Sequence, residues 1–590
     1  MDLRDGDATV TDQPQADHFD FPPYQEPPRL SDTTRRLCGA VYLDEELADK
    51  VIREVVEDER RAVALSFGFD LNAVVRHCFR ARSRYLARDG ILFGLLVLGL
   101  VIAPSTTIGW LMLGVTVLFV RSRKWRRSSL LVRIPLIGAL LSVALFCGGG
   151  ALMAPLWRFL SIGYGLLGAP ALYSGSLMGA SGISAFVGVF QFLAWTPYLL
   201  GIATLTVLVR FERTTHQILA HELRPGVTPF LPPVPSARVA RRLAMVARAQ
   251  YGNINVQERN PFLGCGPAEH GWSYAIPVRP VPGRTTGQEA APSAAPIDHA
   301  ELGPALTAHV RAAVKRMRED PLPPGARVPG LSLVPHIVAD GVRYQGDPLL
   351  DPATGIPRSR ASKEVIEAII RHPQGGLRYY DRIVVSGAGK PLHTADGRLV
   401  LPEQSLGIDI SAFVHVAVEG GLLYIEFITT VMPPIQARYA LVDRLRPEQS
   451  TARNTSAALS HMLTASVLSG WRLARRLKYH WSMKRRMADA LVASTQFRTH
   501  DYGARVSVRQ LVAEPATFKH LQLLDEWKYI KLLERVVLEA VVSFLTERGL
   551  DPGELARQAY EVQNIFGNVN NIFGGQQAFA SSNATFEQHN

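Results

Sequence analysis

The sequence predicts a membrane α-helical bundle of four transmembrane helices, joined to a cytosolic α+β domain with antiparallel strands and long C-terminal helices. Residues 91–120 are predominantly apolar and carry no charged side chain, and residues 134–209 carry a single charge, Arg158. Runs of this length and composition are typical of membrane-spanning helices, which need about 20 apolar residues. Beyond residue 236 the chain instead alternates strand-like and helical patterns, and a turn signal at residues 419–421 favours an antiparallel hairpin.

The part of the chain before the apolar block is polar. Residues 1–34 are acidic, rich in proline and without an apolar core, so we expect an N-terminal tail that is disordered. Residues 35–88 predict a helical cytoplasmic headpiece. In it, Asp44 can cap one helix, and a second helix begins near Asp70 and continues into the membrane.

Pro104 divides the first apolar run. A single helix over residues 91–120 would be about 45 Å long, whereas the hydrocarbon core of a bilayer is about 30 Å thick. Two short helices joined by a turn at Pro104 therefore fit better than the alternative, which is one strongly tilted helix. Arginine clusters flank the run on both sides, and short basic flanks stay in the cytoplasm, so we expect an even number of crossings.

The transmembrane block is predicted to extend over residues 89–210 of a plasma-membrane protein with both termini in the cytoplasm. The glycine-rich stretch 159–184 is consistent with an external loop, a re-entrant segment or further spans, and further spans would give six crossings. The four expected helices cover approximately residues 89–104, 105–120, 136–157 and 185–209.

The soluble part is predicted to follow a proline-rich linker, residues 211–236. Residues 237–447 form the α+β domain, and residues 448–558 form a region of long helices. Helices are predicted at residues 237–250, 299–319, 362–371, 456–497 and 518–548. Strands are predicted at residues 331–339, 378–387, 408–418 and 422–431, with further strand-like patterns at 436–445 and 504–513.

Several segments of the soluble part carry a family resemblance. The strings GNINV, NPFLGCG and GWSYAIPV are followed at a distance by RYYDRIVVSG, AFVHVAVEGGLLYIEFITTVMPP and YALVD. In this combination the chain resembles a family of uncharacterised multi-pass membrane proteins from actinobacteria. The resemblance covers much of residues 35–445. It implies the architecture described above, and it implies no activity and no catalytic residues.

The middle of the predicted helix 456–497 combines tryptophans with dense positive charge. Aromatic and basic side chains together are typical of helices that contact anionic lipid headgroups, although a solvated basic face packed on the domain is an equal alternative. The net charge of +12 is explained in part by basic residues that flank the membrane, so nucleic acid is not expected as a partner. The predicted membrane-surface residues are Trp471, Arg472, Arg475, Arg476, Trp481, Lys484, Arg485 and Arg486.

The C-terminal tail, residues 559–590, is rich in asparagine, glycine and phenylalanine and contains one internal repeat, NIFG. This composition is found in segments that stack as strands between chains, so the repeat is a possible assembly motif and the chain a possible homo-oligomer. A tail that is disordered, or ordered against its own domain, is the alternative. The repeat consists of Asn564, Ile565, Phe566, Gly567, Asn571, Ile572, Phe573 and Gly574.

Catalytic motifs fail on single residues. His221 and Glu222 begin a zinc-protease-like string, but Pro225 stands where the second histidine belongs. Asp347 and Asp351 are better explained as turn formers than as paired acids. The four cysteines are scattered without metal-site spacing. We therefore predict no catalytic residue, no cofactor and no metal ligand.

These features together predict a membrane-anchored scaffold or sensor that presents a cytosolic α+β interaction domain at the inner face of the membrane. Its expected partners are a bilayer with anionic headgroups and a cytosolic protein. The alternative is a channel or transporter subunit that is gated by its cytosolic domain. No ionisable group lies deep in a predicted span, and this counts against transport.

Overall fold

A computed structural model describes residues 30–121, 138, 180–280, 298–318, 328 and 330–556, the last range with gaps at residues 374, 390–391, 395, 397, 402–403, 446–450, 516–518 and 554. Three predicted features lie wholly or mainly outside the described residues. They are the N-terminal tail, the span 136–157 and the repeat at residues 564–574.

The headpiece begins with three helices whose N-termini are capped by side chains. Helix α1 (Asp32–Leu43) is followed by α2 (Glu45–Val51), a π-helical turn (Ile52–Glu57) and the long α3 (Leu71–Ile102). The Asp44 carboxylate accepts hydrogen bonds from two backbone N–H groups at the start of α2, and Asp70 caps α3 in the same way. The predicted cap at Asp44 and the predicted helix start near Asp70 are confirmed.

The apolar block continues as α4 (Pro104–Arg121) and α5 (Ala180–Gln217), which ends in a second π-helical turn (Ile218–Glu222). The break predicted at Pro104 is present, because α3 ends at Ile102 and α4 starts with the proline. Helix α6 (Ala237–Ala249) follows and is capped by Ser236.

The prediction of a four-helix transmembrane bundle is wrong. Among the described residues, α3 is the one helix long and apolar enough to cross a membrane, and α4 offers only a shorter apolar stretch, Thr107–Val120. The first half of α3 is built into the headpiece instead, and one side of the apolar helices packs on a helix from the C-terminal half of the chain. Apolar composition alone does not distinguish lipid neighbours from protein neighbours, so the sequence overcounted spans.

The soluble domain is built on a six-stranded mixed sheet. Its strands are β1 (Ile254–Gln257), β2 (Ala268–Pro277), β3 (Leu331–Asp340), β5 (Leu377–Gly389), β8 (Gln404–Glu419) and β9 (Leu422–Met432). The order across the sheet is β1-β3-β5-β8-β9-β2. The β1–β3 pair is parallel and the other pairs are antiparallel, so the sheet is not antiparallel throughout.

Short strands and helices complete the domain. Two small two-stranded ribbons pair β4 (Val342–Tyr344) with β10 (Thr499–Asp501) and β6 (Leu392–His393) with β7 (Leu399–Leu401). The remaining helices are α7 (His299–Arg316), α8 (Lys363–Arg371), α9 (Leu441–Arg444), α10 (Thr451–Gln496), α11 (Val508–Leu511) and α12 (His520–Glu547).

The β8–β9 hairpin turns at the predicted Glu-Gly-Gly, where Gly420 and Gly421 both have positive φ. The strands predicted at residues 436–445 and 504–513 are wrong, because these segments form α9 and α11.

Two hydrophobic cores hold the chain together. The sheet core packs one face of β5, β8 and β9 against α7 and α12, as in the contacts of Ile383, Phe427 and Val537. The headpiece core draws on α1 to α3 and on segments far along the sequence, namely α6, α9 and α11; it includes Leu37, Val74, Val246, Val442 and Val508. The headpiece is therefore completed by chain that follows the apolar block.

Candidate membrane-anchoring site

Helices α3, α4 and α5 expose a set of large apolar side chains beyond the headpiece. Val101 is 75% exposed and Ile202 is 61% exposed. Extended apolar exposure of this kind marks a surface that contacts lipid or another protein. We call this surface the apolar band; it comprises Ile91, Val97, Leu98, Val101, Ile108, Val115, Phe119, Leu199 and Ile202.

The opposite side of these helices is covered by the first half of α10. Leu92 of α3, Leu208 of α5 and Met462 of α10 share one buried cluster. Small residues allow the close approach, since a Cβ on Gly470 would lie 3.1 Å from the ring of Phe93. The helices are thus packed on one another on one side and exposed on the other.

The relative directions of the helices follow from which residues meet along their lengths. Arg84 of α3 donates to Thr215 of α5 at 3.1 Å, and a Cβ on Gly99 would lie 3.3 Å from Leu200, so α5 runs antiparallel to α3. Helix α10 also runs antiparallel to α3. The chain that precedes α3 and the chain that follows α5 therefore lie at the same end of the group of helices.

Four charged side chains meet at the base of the apolar band. Asp89 and Arg476 are buried, and Glu45 and Arg88 are partly buried beside them. We call these four residues the charge junction. The Arg476 guanidinium contacts Asp89 Oδ2 at 2.8 Å and Glu45 Oε2 at 2.5 Å. Arg88 bridges the same two acids, at 2.7 Å from Asp89 Oδ1 and 2.5 Å from Glu45 Oε1. Arg476 also lies over the ring of Tyr85, with Cζ 4.9 Å from the centroid.

The burial of the charge junction makes it sensitive to the loss of any member. The side chains of Asp89 and Arg476 are 0% and 1% exposed, and two positive charges balance two negative ones. Burial by itself would raise the pKa of Glu45, but attraction to Arg88 and Arg476 and the hydrogen bond from Arg88 outweigh it, so the pKa of this carboxyl is lowered. The Glu45 carboxyl therefore stays ionised, and the four side chains join α2, α3 and α10.

Half of the predicted membrane-surface residues face the headpiece. Besides Arg476, Arg472 lies 3.9 Å from Glu45, and Arg475 lies 3.6 Å from Glu46. Arg486 donates from Nε to Glu57 at 2.7 Å. These four arginines neutralise acidic side chains of α2 and the first π-helical turn, and Arg476 is not available to a lipid headgroup.

The other half faces solvent. Trp471, Trp481 and Arg485 are 69%, 74% and 85% exposed, and Lys484 is exposed as well. Lys478, which the sequence analysis missed, lies on the same helical face, because Trp471, Lys478 and Arg485 are each seven residues apart. Since α10 is antiparallel to α3, Trp471 is level with the base of the apolar band, whereas Trp481 lies about 15 Å further along the helix axis.

The acidic partners of the basic helix were also missed. Asp89 stands next to Arg88 directly before the first apolar run, and an ionisable residue at that position was a signal for an internal pair.

Asp347 and Asp351 do form turns as predicted, since their carboxylates accept from the backbone N–H groups of Leu349 and Ala353. No group of three or more histidine, cysteine, aspartate or glutamate residues that could hold a metal ion is found in the described part of the chain.

Comparison with known proteins gives one match. A family model described as an AbeC-like domain matches residues 271–579, from within β2 through the sheet, α10 and α12, which is more than half of the chain. The match is consistent with the predicted membership of an uncharacterised family, and it extends beyond the residues that carried the resemblance. No curated protein and no solved structure matches.

Proposed function

The chain belongs to the AbeC-like domain family, and from that premise we propose that it is a membrane-anchored scaffold or sensor whose α+β domain is held at the inner face of the membrane. A plasma-membrane location, a multi-pass topology with both termini in the cytoplasm, and relatives in actinobacteria belong to the same proposal. The observation that carries it is the apolar band, which is exposed directly above the buried charge junction.

Insertion of the apolar band into lipid would remove its side chains from water. Transfer of apolar surface from water to lipid contributes about 25 cal/mol for each Å². Burial of the exposed surface of the nine large side chains of the band therefore favours anchoring. Trp471 lies at its base, where tryptophan is favoured at the boundary between lipid and water. The exposed face formed by Lys478, Trp481, Lys484 and Arg485 lies farther from the band and suits an acidic cytosolic partner.

The packing supports the proposal that both flanks lie on one side of the membrane. Ile218 and Leu219, which follow α5, belong to the same core as Leu37 and Val74, which precede the apolar part of α3. A membrane inserted between these segments would have to split that core. The headpiece and the sheet domain are therefore expected on the same face of the membrane.

The transport alternative receives no support from a specific feature. The described cavity between α3, α4, α5 and α10 has a volume of about 70 Å³, and no ionisable side chain lines it in the part of the chain that the structure describes. A site for an ion would need polar or charged groups at this depth.

The anchoring proposal is tested by substitutions in the apolar band. Val101→Glu combined with Ile202→Glu places two charges where lipid contact is proposed, so the full chain should shift from the carbonate-resistant membrane fraction to the extractable fraction. Val342→Glu is the matched control, since Val342 is 56% exposed on the soluble domain and should leave the fractionation unchanged. If the double variant stays in the carbonate-resistant fraction, the band is not the anchor.

The side of the membrane is tested separately by labelling. Cys38, Cys78 and Cys265 are all buried and contribute little background, and the fourth cysteine, Cys147, which lies outside the described residues, is replaced by serine in the labelled protein. A cysteine introduced by Leu422→Cys, at a position 43% exposed in the sheet domain, should react with a membrane-impermeant maleimide only after cell lysis. Labelling in intact cells would refute the cytoplasmic location.

A further inference from the structure

A second site lies far from the apolar band, in a cleft between the headpiece and the sheet domain. Its volume is about 690 Å³, and it is bounded by α6, by residues 59–63 and by the loop 351–360. Small-molecule sites typically have volumes of about 300–1,000 Å³. We call this cavity the arginine cleft.

Helix α6 presents one face to the cleft and the opposite face to the headpiece core. Arg238, Arg241, Met245 and Arg248 are three or four residues apart and all line the cleft. Val239, Leu243 and Val246 on the opposite face are buried in the headpiece core. The packing of the apolar face therefore fixes the arginines toward the cavity.

The facing loop is held in place by backbone contacts with the start of the sheet. The Ser359 carbonyl accepts from the N–H groups of Asn253 at 2.9 Å and Ile254 at 3.0 Å. Gly252 is required there, because a Cβ at this position would lie 2.1 Å from the same carbonyl oxygen. Arg358 is thus carried by a loop whose shape does not depend on a ligand, and such preorganisation lowers the cost of binding.

The charges of the lining are unbalanced. Seven arginines line the cavity against two acids, Glu59 and Asp351, which leaves an excess of five positive charges. Such a concentration of one sign attracts ligands of the opposite sign. The seven arginines are Arg61, Arg238, Arg241, Arg242, Arg248, Arg358 and Arg360.

Three of these arginines already have structural partners. Arg242 donates to four backbone carbonyls of residues 55–61, at 2.8–3.1 Å. Arg238 makes two hydrogen bonds of 2.8 Å to the carboxylate of Glu59, and Arg61 pairs with Asp58 and Asp501. These side chains shape the cleft.

Three others are available for a ligand. Arg241, Arg248 and Arg358 are exposed to the solvent, and their guanidinium groups form no ion pair or hydrogen bond with any described residue. Arg241 and Arg248 lie about 10 Å apart along α6, and Arg358 lies on the opposite wall. Guanidinium groups bind phosphate through paired, charge-assisted hydrogen bonds.

Apolar side chains line the same cavity. Met245, Ile254, Ile356 and Pro357 offer a surface on which a flat ring can pack. We propose that the arginine cleft binds a soluble phosphorylated small molecule of nucleotide size, with its phosphates on Arg241, Arg248 and Arg358 and its ring on the apolar lining. This proposal does not depend on membrane anchoring.

The position of the cleft favours a soluble ligand over a lipid headgroup. The end of α6 is tied to the start of α3, since Leu71 N donates to Gln250 Oε1 at 2.6 Å and Gln250 Nε2 donates to Asp70 at 3.0 Å. The apolar band begins at Ile91, twenty residues along α3, which corresponds to about 30 Å. A headgroup at the base of the band therefore does not reach Arg248, which lies at this end of the cleft.

The test is calorimetric titration of the purified full chain in detergent with ATP, pyrophosphate and adenosine. We expect ATP and pyrophosphate to bind, with affinity that falls as salt is raised, and adenosine alone to bind at least tenfold more weakly than ATP, because the charge-assisted hydrogen bonds to phosphate are absent. Arg241→Gln combined with Arg248→Gln should weaken ATP binding at least tenfold. Arg224→Gln is the matched control, since Arg224 is exposed and lies outside the cleft.

Absence of ATP and pyrophosphate binding at millimolar concentration would overturn the proposal. It would also be overturned if the Arg241→Gln, Arg248→Gln double variant and the Arg224→Gln control both bound ATP as tightly as the unaltered chain. A third arm adds vesicles containing phosphatidylglycerol. If these vesicles displace ATP, the ligand is a lipid headgroup and the assignment of a soluble molecule is wrong. The thermal unfolding of the double variant, measured in parallel, shows whether a loss of binding reflects a loss of fold.

Discussion

Replacement of Arg476 by methionine tests the central feature of the anchoring site. The substitution retains a long side chain and removes the charge from a position that is 1% exposed. Asp89, which is fully buried, then keeps only Arg88 as a partner, whereas the partly buried Glu45 keeps Arg88 and the more distant Arg472. We expect the folded state to be strongly destabilised because the excess negative charge is shielded from water.

The magnitude follows from the burial of the partners. Breaking a buried ion pair by removal of one partner costs about 3–5 kcal/mol. Because Arg88 still contacts both acids, we expect the lower end of that range, about 3 kcal/mol. For a cooperative unit of 150–250 residues this corresponds to a decrease in Tm of about 6–12 °C.

Thermal unfolding of the purified full chain, followed by circular dichroism, measures this effect. Arg485→Met is the matched control on the same helix, because the Arg485 side chain is 85% exposed and lies 3.8 Å from Asp489. Its loss should change the free energy of unfolding by less than about 0.5 kcal/mol. If Arg476→Met and Arg485→Met unfold at the same temperature, the charge junction does not join the helices as argued.

A double-variant comparison separates the pairing from simple loss of packing. Asp89→Asn removes one of the two charges left without Arg476. Combined with Arg476→Met, it should destabilise the protein by less than the sum of the two single substitutions, because the same interaction is lost in each. Strict additivity would show that Arg476 and Asp89 do not interact energetically.

Acid sensitivity and one glycine provide further tests. Burial, reinforced by a nearby arginine, lowers the pKa of His77 and of His336 from 6.5 to about 3. Between about pH 6.5 and pH 3 the two histidines are therefore protonated in the unfolded chain but neutral in the folded chain. The free energy of unfolding should decrease as the pH is lowered through this window, by up to about 1.4 kcal/mol per pH unit for each histidine. His336→Phe should reduce the slope of Tm against pH between about pH 6 and pH 4, and an unchanged slope would contradict the assignment. Gly266→Ala should destabilise the protein by at least about 2 kcal/mol in denaturant unfolding, because its φ is 98° and a Cβ would lie 2.0 Å from the Val431 carbonyl oxygen. Gly346→Ala, with a φ of 86° and no atom within 4 Å of its Cβ, should cost only about 1 kcal/mol; equal losses at the two sites would show that the close contact is not the cause.

Local patterns were sufficient to predict many elements of the fold. The cap at Asp44, the helix start near Asp70, the break at Pro104 and the hairpin at residues 419–421 were predicted because each depends on a residue and its immediate neighbours. The predicted long helix 456–497 is also present as α10. These features need no knowledge of the rest of the chain.

Predictions that depended on what a segment packs against were less successful. The segments 436–445 and 504–513 have strand-like apolar patterns but form short helices. Val442 and Val508 are buried in the headpiece core, where the surrounding helices determine the shape of the site. Likewise, apolar composition suggested four spans, although one side of the described apolar helices packs on α10 and α3 is the one described helix long and apolar enough to cross a membrane.

The sequence by itself determined where apolar runs, turns and helix ends lie, because these follow from the order of neighbouring residues. Only the tertiary structure decided which charges are neutralised and which stay available. Arg476 finds Asp89 across 387 positions of sequence, and α6 meets the loop 351–360 to form the arginine cleft. Electrostatic and packing energies depend on distance in space and on exclusion of water, and neither quantity can be read from the spacing of residues along the chain.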